Sequence, residues 1–203
     1  DKDGVTPLYM ACQHGHLECA KLLRDAGADI NQARADGATP LLVASQKGHP
    51  EIARLLLEAG GATGQAGEYG CMPLYVASRE GHLEVARLLL EAGAAVNQAD
   101  AEGFTPLYVA CQEGHPEVAQ LLLEASASVG QADKDGATPL FMACQNGHLE
   151  CVRLLLEAGA AIDQTCGNGA TPLFIACQEG HLEIAQLLLE VGAATDQAMN
   201  DGC

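Results

Sequence analysis

Four copies of a Cys-x-x-x-His pattern run along the chain, and a thiol beside an imidazole can act as a nucleophile and its base. The four pairs are Cys12/His16, Cys111/His115, Cys144/His148 and Cys177/His181. Two further copies keep the His without the Cys, and catalytic sites are not usually repeated four times along one chain. We therefore interpret each pair as a buried Cys on one helix and a capping His at the start of the next.

The same residue types could also bind a metal ion. The six His residues recur once per copy, and equivalent positions on packed helices lie about 10 Å apart, too far to share an ion whose ligands lie at about 2 Å. The first copy holds one local cluster of possible zinc ligands, Cys12, His14, His16 and Cys19. Cys12 and Cys19 fall at core-facing positions whereas His14 should point outward, so we predict no metal site.

Other chemical motifs are absent from the sequence. It contains no H-E-x-x-H pattern, no G-x-x-x-x-G-K-[ST] phosphate loop and no dinucleotide-binding G-x-G-x-x-G after a strand. The recurring Glu residues, from Glu18 to Glu183 and from Glu58 to Glu190, are interpreted as solvated helix faces. We predict that the chain is not an enzyme, with no catalytic residue and no cofactor.

A strict period positions all these residues. One proline recurs every 33 residues, at Pro7, Pro40, Pro73, Pro106, Pro139 and Pro172. Such a period is typical of stacked repeat proteins. We predict a single array over 1–203, with repeats at about 1–33, 34–66, 67–99, 100–132, 133–165 and 166–198 and a partial seventh at 199–203, where Asp201-Gly202-Cys203 begins another copy.

The fourth copy shows how one repeat should fold. Thr105 is a good helix N-cap and Pro106 fits the first helical turn, while Gly114 ends that helix. Pro116 predicts the first turn of a second helix, which places His115 at its N-cap or beside it. A glycine ends the second helix in every full copy except the fourth, which has Ser126, and a polar loop follows. Each repeat is therefore predicted to be helix, turn, helix and projecting loop.

The repeated pattern D-x-x-G-x-T-P-L-x-x-A-x-x-x-G-H-x-E-x-x-x-L-L-L-E-x-G-A resembles the ankyrin repeat in six full copies. The resemblance implies an all-α solenoid of stacked helix-turn-helix units with projecting β-hairpin-like loops. The family usually has His after T-P-L, and this chain has aromatic residues or Leu there: Tyr9, Leu42, Tyr75, Tyr108, Phe141 and Phe174. Met72 replaces the Thr of the third copy, so we expect one helix cap to be lost.

The resemblance also implies a function: ankyrin proteins bind partner proteins along a concave side formed by loop tips and the exposed ends of the first helices. The candidate residues at these positions are Asp36, Lys47, Glu68, Tyr69, Arg79, Glu80, Glu102, Phe104, Gln112, Glu113, Asp135 and Asn146. Tyr69 and Phe104 are aromatic residues on adjacent tips, where interfaces favour such anchors. The alternative is that both rings lie flat over a neighbouring loop.

A second hypothesis assigns the chain no dedicated binding site. The tips are dominated by Ala, Gly and Asp, and Asp-Lys-Asp-Gly recurs at 1–4 and 133–136. Such uniformity indicates recent duplication or design. The chain would then be a structural spacer, or a designed or excised segment of a longer ankyrin array.

Composition limits the possible partners. The chain has 27 acidic and 10 basic residues, a net charge of −17, which disfavours nucleic acid and anionic membranes and favours a basic protein or peptide. No run of 18 apolar residues and no charged-then-apolar leader occurs, so we expect neither a membrane span nor a signal peptide.

Six of the nine cysteines share positions with Ser, Ile or Val in other copies: Cys12, Cys111, Cys144 and Cys177 with Ser, and Cys19 and Cys151 with Ile and Val. We interpret them as small core residues that stay reduced, which predicts the cytoplasm or nucleus. In the first copy Arg24 stands where later copies have Leu, and together with the charged residues Lys21 and Asp25 it predicts a partial polar cap. The last copy keeps Leu187, Leu188 and Leu189 with nothing to cover them, so we expect a frayed C-terminal repeat or end-to-end association.

Overall fold

The computed structural model of the chain describes residues 4–196, and within this range all regular structure is helical. The chain divides into two compact units, Asp1–Ala101 and Glu102–Cys203, called unit one and unit two. The helices of unit one are α1 (Pro7–Gln13), α2 (Leu17–Asp25), α3 (Pro40–Lys47), α4 (Pro50–Glu58), α5 (Pro73–Arg79) and α6 (Leu83–Glu91). Those of unit two are α7 (Pro106–Glu113), α8 (Pro116–Glu124), α9 (Pro139–Asn146), α10 (Leu149–Glu157), α11 (Pro172–Glu179) and α12 (Leu182–Glu190). The predicted all-α fold of six helical pairs is confirmed, while the partial seventh repeat at 199–203 lies outside the described residues.

The first helix of each repeat begins at a threonine cap followed by proline. In unit one the Thr39 hydroxyl accepts a hydrogen bond from the Leu42 amide at 3.1 Å, and the same bond occurs at the other threonine caps. Helix α5 is the exception, because Met72 makes no side-chain cap bond to any described residue. The predicted loss of one cap is confirmed.

The histidines occupy the N-cap position of the second helices, as expected, but their side chains make no cap bond within the described chain. In four repeats the ring instead reaches the preceding repeat, where Nε2 can only donate to a backbone carbonyl oxygen. The pairs are His49 with Gln13 (3.4 Å), His82 with Gln46 (3.2 Å), His148 with Gln112 (3.0 Å) and His181 with Gln145 (3.0 Å). These carbonyls lie at helix C-termini, where donors are otherwise missing.

A glycine makes room for each of these rings. A Cβ added to Gly48 would lie 2.6 Å from the His82 ring, and one added to Gly147 would lie 2.6 Å from the His181 ring. Both glycines also have positive φ, +68° and +79°, which other residues rarely adopt. The recurring Gly-His pair is therefore a contact between successive repeats, which we call the Gly-His latch.

Leu, Ile, Val, Ala and Cys form the core of each unit. The largest fully buried side chains are Leu8, Leu41, Val43, Ile52, Leu56 and Leu89 in unit one and Leu107, Leu122, Leu140, Leu155, Ile184 and Leu188 in unit two. Cys12, Cys111 and Cys144 are buried among them, which confirms them as core residues. The core positions predicted for Cys19 and Cys177 are wrong: both are exposed, whereas the equivalent Cys151 and Cys144 are buried. Each exposed cysteine lies in a terminal repeat of the described chain, next to which no further described repeat covers it.

The projecting loops are short hairpin-like turns. In unit two, the Asp133 amide donates to the Ala137 carbonyl at 3.0 Å and the Gly136 amide to the Asp133 carbonyl at 3.1 Å. Successive loops are also joined, since the Lys134 amide donates to the Glu102 carbonyl at 3.1 Å. These turns therefore hold the ends of the first helices beside a row of connected loop tips.

Candidate functional site

Unit two contains a groove of about 880 Å³ between its loop tips and the helices α9 and α11. Its floor is apolar, with Phe141 and Met142 from α9 and Phe174 and Ile175 from α11. Its rim is polar and is formed by Asp133, Lys134, Asp135, Cys166, Asn168, Gln145 and Gln178. We call this surface the unit-two groove.

The residues after T-P-L explain the apolar floor. In the fourth repeat this position is Tyr108, whose hydroxyl donates to Asp133 Oδ2 at 2.6 Å and ties the loop to helix α7. The next repeat has Phe141, which lacks a hydroxyl, and Cys166 stands at the position equivalent to Asp133. Phe141 and Phe174 therefore contribute purely apolar rings to the groove, whereas the hydroxyl of Tyr108 is hydrogen-bonded to Asp133.

Hydrogen bonds within the loops hold the rim in place. Asp133 Oδ1 accepts from the amides of Asp135 and Ala137, both at 2.9 Å. Asn168 Oδ1 accepts from the Ala170 amide at 3.0 Å and from the Cys166 thiol at 2.6 Å. Both tips are therefore ordered turns before any ligand binds, which lowers the entropic cost of binding.

The electrostatics of the rim favour a cation. Asp133 and Asp135 carry two negative charges, and the one positive charge, on Lys134, lies 3.4 Å from Glu102 Oε1. The groove therefore combines an apolar floor with a net negative rim. Small-molecule and peptide sites commonly have this composition, with a few polar groups placed around an apolar surface.

A family model described as ankyrin repeats, in three copies, matches residues 1–66, 60–133 and 127–199. The chain belongs to the ankyrin repeat family. The resemblance drawn from the sequence is thereby confirmed, and no curated protein matches the chain. Ankyrin repeats are generally protein–protein interaction modules, and the family is typically a non-enzymatic scaffold.

Two buried thiols of this ankyrin chain, Cys12 and Cys144, are poorly suited to catalysis at neutral pH. Burial raises the pKa of Cys12 to about 12 and that of Cys144 to about 12. A thiol acts as a nucleophile only as the thiolate, so these two stay protonated and inert. Within residues 4–196, no group of three or more His, Cys, Asp or Glu residues could hold a metal ion. The first-copy cluster is divided between Cys12, which is buried, and His14, His16 and Cys19, which are exposed.

Of the twelve residues predicted to bind a partner, Asp135 alone is among those that line the unit-two groove. Phe104 stacks on the Tyr108 ring, with 4.7 Å between the ring centroids and 18° between the planes, and is half-buried. Glu102 faces Lys134, as described above, and Glu113 is exposed at the end of α7. Asn146 Nδ2 donates to the Gln112 carbonyl at 3.2 Å, so these two residues join successive helix ends beside the groove.

The predicted residues of unit one lie along its own loop tips and helix ends. Asp36 Oδ1 accepts from the Ala38 amide at 3.0 Å, which closes its turn, and Lys47 is exposed at the end of α3. Arg79 and Glu80 form an ion pair at 2.9 Å, and the Arg79 guanidinium lies 5.9 Å from the centre of the Tyr75 ring.

Tyr69 is the exposed aromatic residue of unit one. It lies in a 3₁₀ turn, Glu68–Gly70, with 73% of its surface accessible and a φ of 59°. The Glu68 carboxylate accepts a hydrogen bond from its hydroxyl, which raises the pKa of Tyr69. Positive φ is uncommon for a bulky residue and costs on the order of 1 kcal/mol, so this turn holds an aromatic ring in solvent at an energetic cost.

Most residues of the unit-two groove were not predicted from the sequence. Met142, Ile175, Cys166 and Asn168 were not among the predicted residues, and Phe141 and Phe174 were noted only as departures from the family pattern. The repeat period could have predicted that Cys166 and Asn168 lie on the rim. Their loop, 166–169, follows the loop at 133–136 by one repeat of 33 residues. The depth of the floor had no such signal, since it depends on how side chains of adjacent repeats pack.

None of the helices in the described part of the chain has the length and apolar character needed to cross a membrane.

Proposed function

We propose that this ankyrin chain is a scaffold that binds a partner protein or peptide through the concave surface of its loop tips and first helices. The observation that carries the proposal is the unit-two groove, in which Phe141, Met142, Phe174 and Ile175 form an apolar floor under a polar rim. Interfaces are anchored by apolar and aromatic contacts surrounded by polar groups. The groove supplies both within one ordered surface.

The partner is proposed to be a short peptide segment with one or two apolar side chains beside a Lys or Arg. The apolar side chains would rest on Met142 and Phe174, and the cation would approach Asp135 on the rim. The net charge of −17 adds a longer-range attraction for such a segment and opposes nucleic acid and anionic membranes.

Selection from a library of short random peptides tests this proposal directly. The full-length chain is immobilised, bound peptides are enriched, and their sequences are compared with the input library. Enrichment of peptides that combine apolar residues with Lys or Arg is expected. Binding of each enriched peptide is then measured by fluorescence anisotropy at two salt concentrations, and affinity should fall as salt rises because the rim charges are screened.

Matched variants locate the binding site. Met142→Glu alters the floor and Asp135→Lys reverses one rim charge, and each is expected to weaken binding at least tenfold. Glu157→Lys makes the same charge change at an exposed position on α10, away from the groove, and should leave affinity within about twofold at moderate salt. Equal affinity for Asp135→Lys and the wild type would contradict the proposal. Failure to enrich any peptide would favour the alternative of a structural spacer with no dedicated site.

The candidate residues of unit one are proposed as a binding surface of that unit. Tyr69→Ala in unit one and Phe104→Ala in unit two are compared separately, because Tyr69 is exposed and Phe104 is stacked on Tyr108. Loss of affinity in Tyr69→Ala without loss of stability would support a direct contact. Unchanged affinity for every enriched peptide would remove Tyr69 from the surface.

The remaining expectations from the sequence are also proposals. Equilibrium unfolding of the full chain tests the single array over 1–203, which should unfold at one midpoint by every probe. Light scattering across a range of concentrations tests end-to-end association, and a fixed monomer mass would contradict it. Amide exchange tests fraying, and uniform protection through 181–191 in a monomer would contradict it. Imaging of the tagged full chain in cells tests the proposed cytoplasmic or nuclear location.

A further inference from the structure

One side of α2 exposes apolar side chains at positions that are buried in later repeats. Leu22 is 70% exposed, whereas the equivalent Leu55 and Leu88 are 6% and 5% exposed. Cys19 is exposed as well, and its equivalents in all five later repeats are buried. Within each unit the second helix of the preceding repeat packs beside such positions, as α2 does against α4 and α8 against α10. We call the surface that contains His16, Cys19 and Leu22 the leading face.

The outer side of α11 and α12 shows the matching exposure. Cys177 is exposed, whereas the residues at its position in the five earlier repeats are buried. Leu189 is 47% exposed, and together with Leu173, Phe174 and Cys177 it lines a pocket of about 300 Å³. We call the surface that contains Cys177, Gly180 and Leu189 the trailing face.

The Gly-His latch has one half on each of these faces. In the four described latches a histidine ring lies against a glycine 34 residues before it and reaches the carbonyl oxygen two residues before that glycine. Gly180 has the positive φ of such a socket, +78°, and a Cβ added there would lie within 4 Å of no described atom. His16 is exposed, and its side chain makes no cap bond within the described chain. The trailing face therefore offers an open socket, and the leading face offers an exposed ring.

We propose that copies of this chain associate head to tail, with the leading face of one copy packed on the trailing face of the next. The proposal rests on the end-to-end association proposed above and assigns its contact. His16 of one copy enters the socket at Gly180 of another, and its Nε2 donates to the Gln178 carbonyl oxygen. Gln178 stands two residues before Gly180, as Gln145 stands before Gly147 in a described latch.

The repeat boundaries inside each unit indicate that the occupant is a second copy. At those boundaries a surface equivalent to the trailing face is covered by one equivalent to the leading face, as where α10 and α12 pack together. The two exposed faces are therefore the two halves of a contact that the chain already makes between its own repeats. In the assembly Leu22 covers the pocket beside Leu189, which removes both side chains from water.

The charge of the chain predicts how salt acts on this contact. Copies with a net charge of −17 repel one another, and the last described repeat, 166–196, contains Glu179, Glu183, Glu190 and Asp196 without any Lys or Arg. Salt screens this repulsion and leaves the apolar contact in place. Association should therefore strengthen as salt rises, whereas binding of the basic peptide proposed above should weaken. The two proposals can accordingly fail separately.

Sedimentation equilibrium of the full chain, over a wide range of concentrations and at low and high salt, tests the proposal. Leu22→Glu places a charge on the leading face and Leu189→Glu places one on the trailing face. Each variant alone is expected to weaken association at least about tenfold, because the contact would bury an unpaired charge. Both side chains are exposed, so the variants should keep the circular dichroism spectrum of the wild type.

Val191→Glu is the matched control for these two variants. Val191 is 53% exposed and lies near Leu189, but its position is also exposed in internal repeats, at Ala59 and Ala92. A neighbouring repeat does not cover this position, so Val191→Glu should leave association within about twofold of the wild type at high salt.

An equimolar mixture of the two face variants is the decisive measurement. Leu22→Glu keeps an intact trailing face and Leu189→Glu keeps an intact leading face. The mixture should therefore form a one-to-one complex, although neither variant associates alone, because a head-to-tail contact uses one face of each kind. A contact between two like faces would instead leave one of the single variants able to associate.

The latch is tested by His16→Ala and Gly180→Ala. Each should weaken association at least about tenfold, since the first removes the ring and the second places a Cβ against it. Gly192→Ala is the control, because Gly192 also has positive φ and open space around it, as do its equivalents Gly93 and Gly159 in internal repeats. It should leave association within about twofold, since this position is not a socket.

A fixed monomer mass at every concentration and salt overturns this proposal together with the end-to-end association on which it rests, and leaves the peptide proposal standing. Association that persists in both face variants, or a mixture that gives no one-to-one complex, overturns the head-to-tail contact alone. Equal association of His16→Ala, Gly180→Ala and the wild type overturns the assignment of the latch to the contact.

Discussion

Unit one and unit two share one three-repeat plan, and their departures from it fall in different places. In unit one the departures weaken the scaffold: Met72 gives no cap to α5, and Tyr69 holds a positive φ. In unit two the departures alter the side chains that line the groove, as with Phe141 and Phe174. The comparison indicates that the helix caps and turns vary independently of the side chains that line the groove.

One contact shows the same independence on a smaller scale. In unit one the Arg34 guanidinium donates to the Tyr9 hydroxyl at 3.2 Å. In unit two the equivalent tyrosine, Tyr108, donates to Asp133 at 2.6 Å. The loop is tied to the helix in both units, although the charge of the loop residue is reversed. The fold fixes which two positions touch, while the loop residue at the contact can be a cation, Arg34, or an anion, Asp133.

The largest predicted effect tests whether the two units share the same Gly-His latch. Gly48→Ala in unit one and Gly147→Ala in unit two should each lower the free energy of unfolding by about 2–4 kcal/mol, because the new Cβ meets a histidine ring and φ is positive. Chemical denaturation followed by circular dichroism measures both.

Gly180→Ala is the control for that pair. It has the same positive φ, but an added Cβ would lie within 4 Å of no described atom, so it should cost only about 1 kcal/mol. If Gly180→Ala costs as much as Gly147→Ala, the histidine contact contributes nothing beyond backbone strain. If Gly48→Ala and Gly147→Ala differ by more than about twofold, the units do not share the latch.

The second prediction concerns a buried hydroxyl in unit one. Ser78 is fully buried and its hydroxyl makes no hydrogen bond within the described chain, whereas the Ser45 hydroxyl donates to the Leu41 carbonyl at 2.8 Å. Ser78→Ala should therefore raise the free energy of unfolding by about 1–2 kcal/mol, and Ser45→Ala should lower it by about 1 kcal/mol. Thermal and chemical unfolding of both variants check the opposite signs, and a loss of stability in Ser78→Ala would contradict the first.

The third prediction exchanges a helix cap between the units. Met72→Thr restores the missing cap in unit one and should stabilise the chain by about 1 kcal/mol. Thr138→Met removes the cap of α9 in unit two and should destabilise it by a similar amount, because the Phe141 amide loses its acceptor at 3.2 Å. Changes of the same sign in the two variants would show that capping does not explain this difference between the units.

The smallest predicted effect concerns the residue that ends the second helix of a repeat, which is glycine in the third repeat and serine in the fourth. Ser126 in unit two has φ of 67° where Gly93 in unit one has 82°. Ser126→Gly should stabilise the chain by about 1 kcal/mol, because glycine adopts positive φ without strain. Gly93→Ser should destabilise it by a similar amount for the same reason. Denaturant midpoints of the two variants measure the exchange, and unequal magnitudes would indicate that local packing contributes at one of the two sites.

The features that depend on near neighbours in the chain could be predicted from the sequence. Thr39 and Pro40 mark a helix start, and Gly48 marks its end, because caps involve residues within one turn of each other. The absent cap at Met72 followed from the same rule. The repeat period then extended one correct helical pair to all six.

Contacts between repeats were harder to predict. His148 reaches the Gln112 carbonyl and His181 reaches the Gln145 carbonyl, and both carbonyls belong to the preceding repeat. Equivalent positions in neighbouring repeats lie about 10 Å apart, which excludes direct contact between equivalent residues. The residues that do touch occupy different positions in their repeats, since each histidine reaches a carbonyl 36 residues before it. The floor of the groove was missed for a related reason, since Met142 reads as one more core residue until the packing around it is known.

The Gly-His latch has a consequence for how such a gene can change length. The four latches that the structure describes each join the same glycine socket to the same histidine ring, so removing or duplicating one whole 33-residue repeat would rejoin matching surfaces. Unequal recombination within the loops would therefore yield arrays that fold with every latch satisfied. Selection could then alter the number of repeats and the residues of a groove as two separate traits.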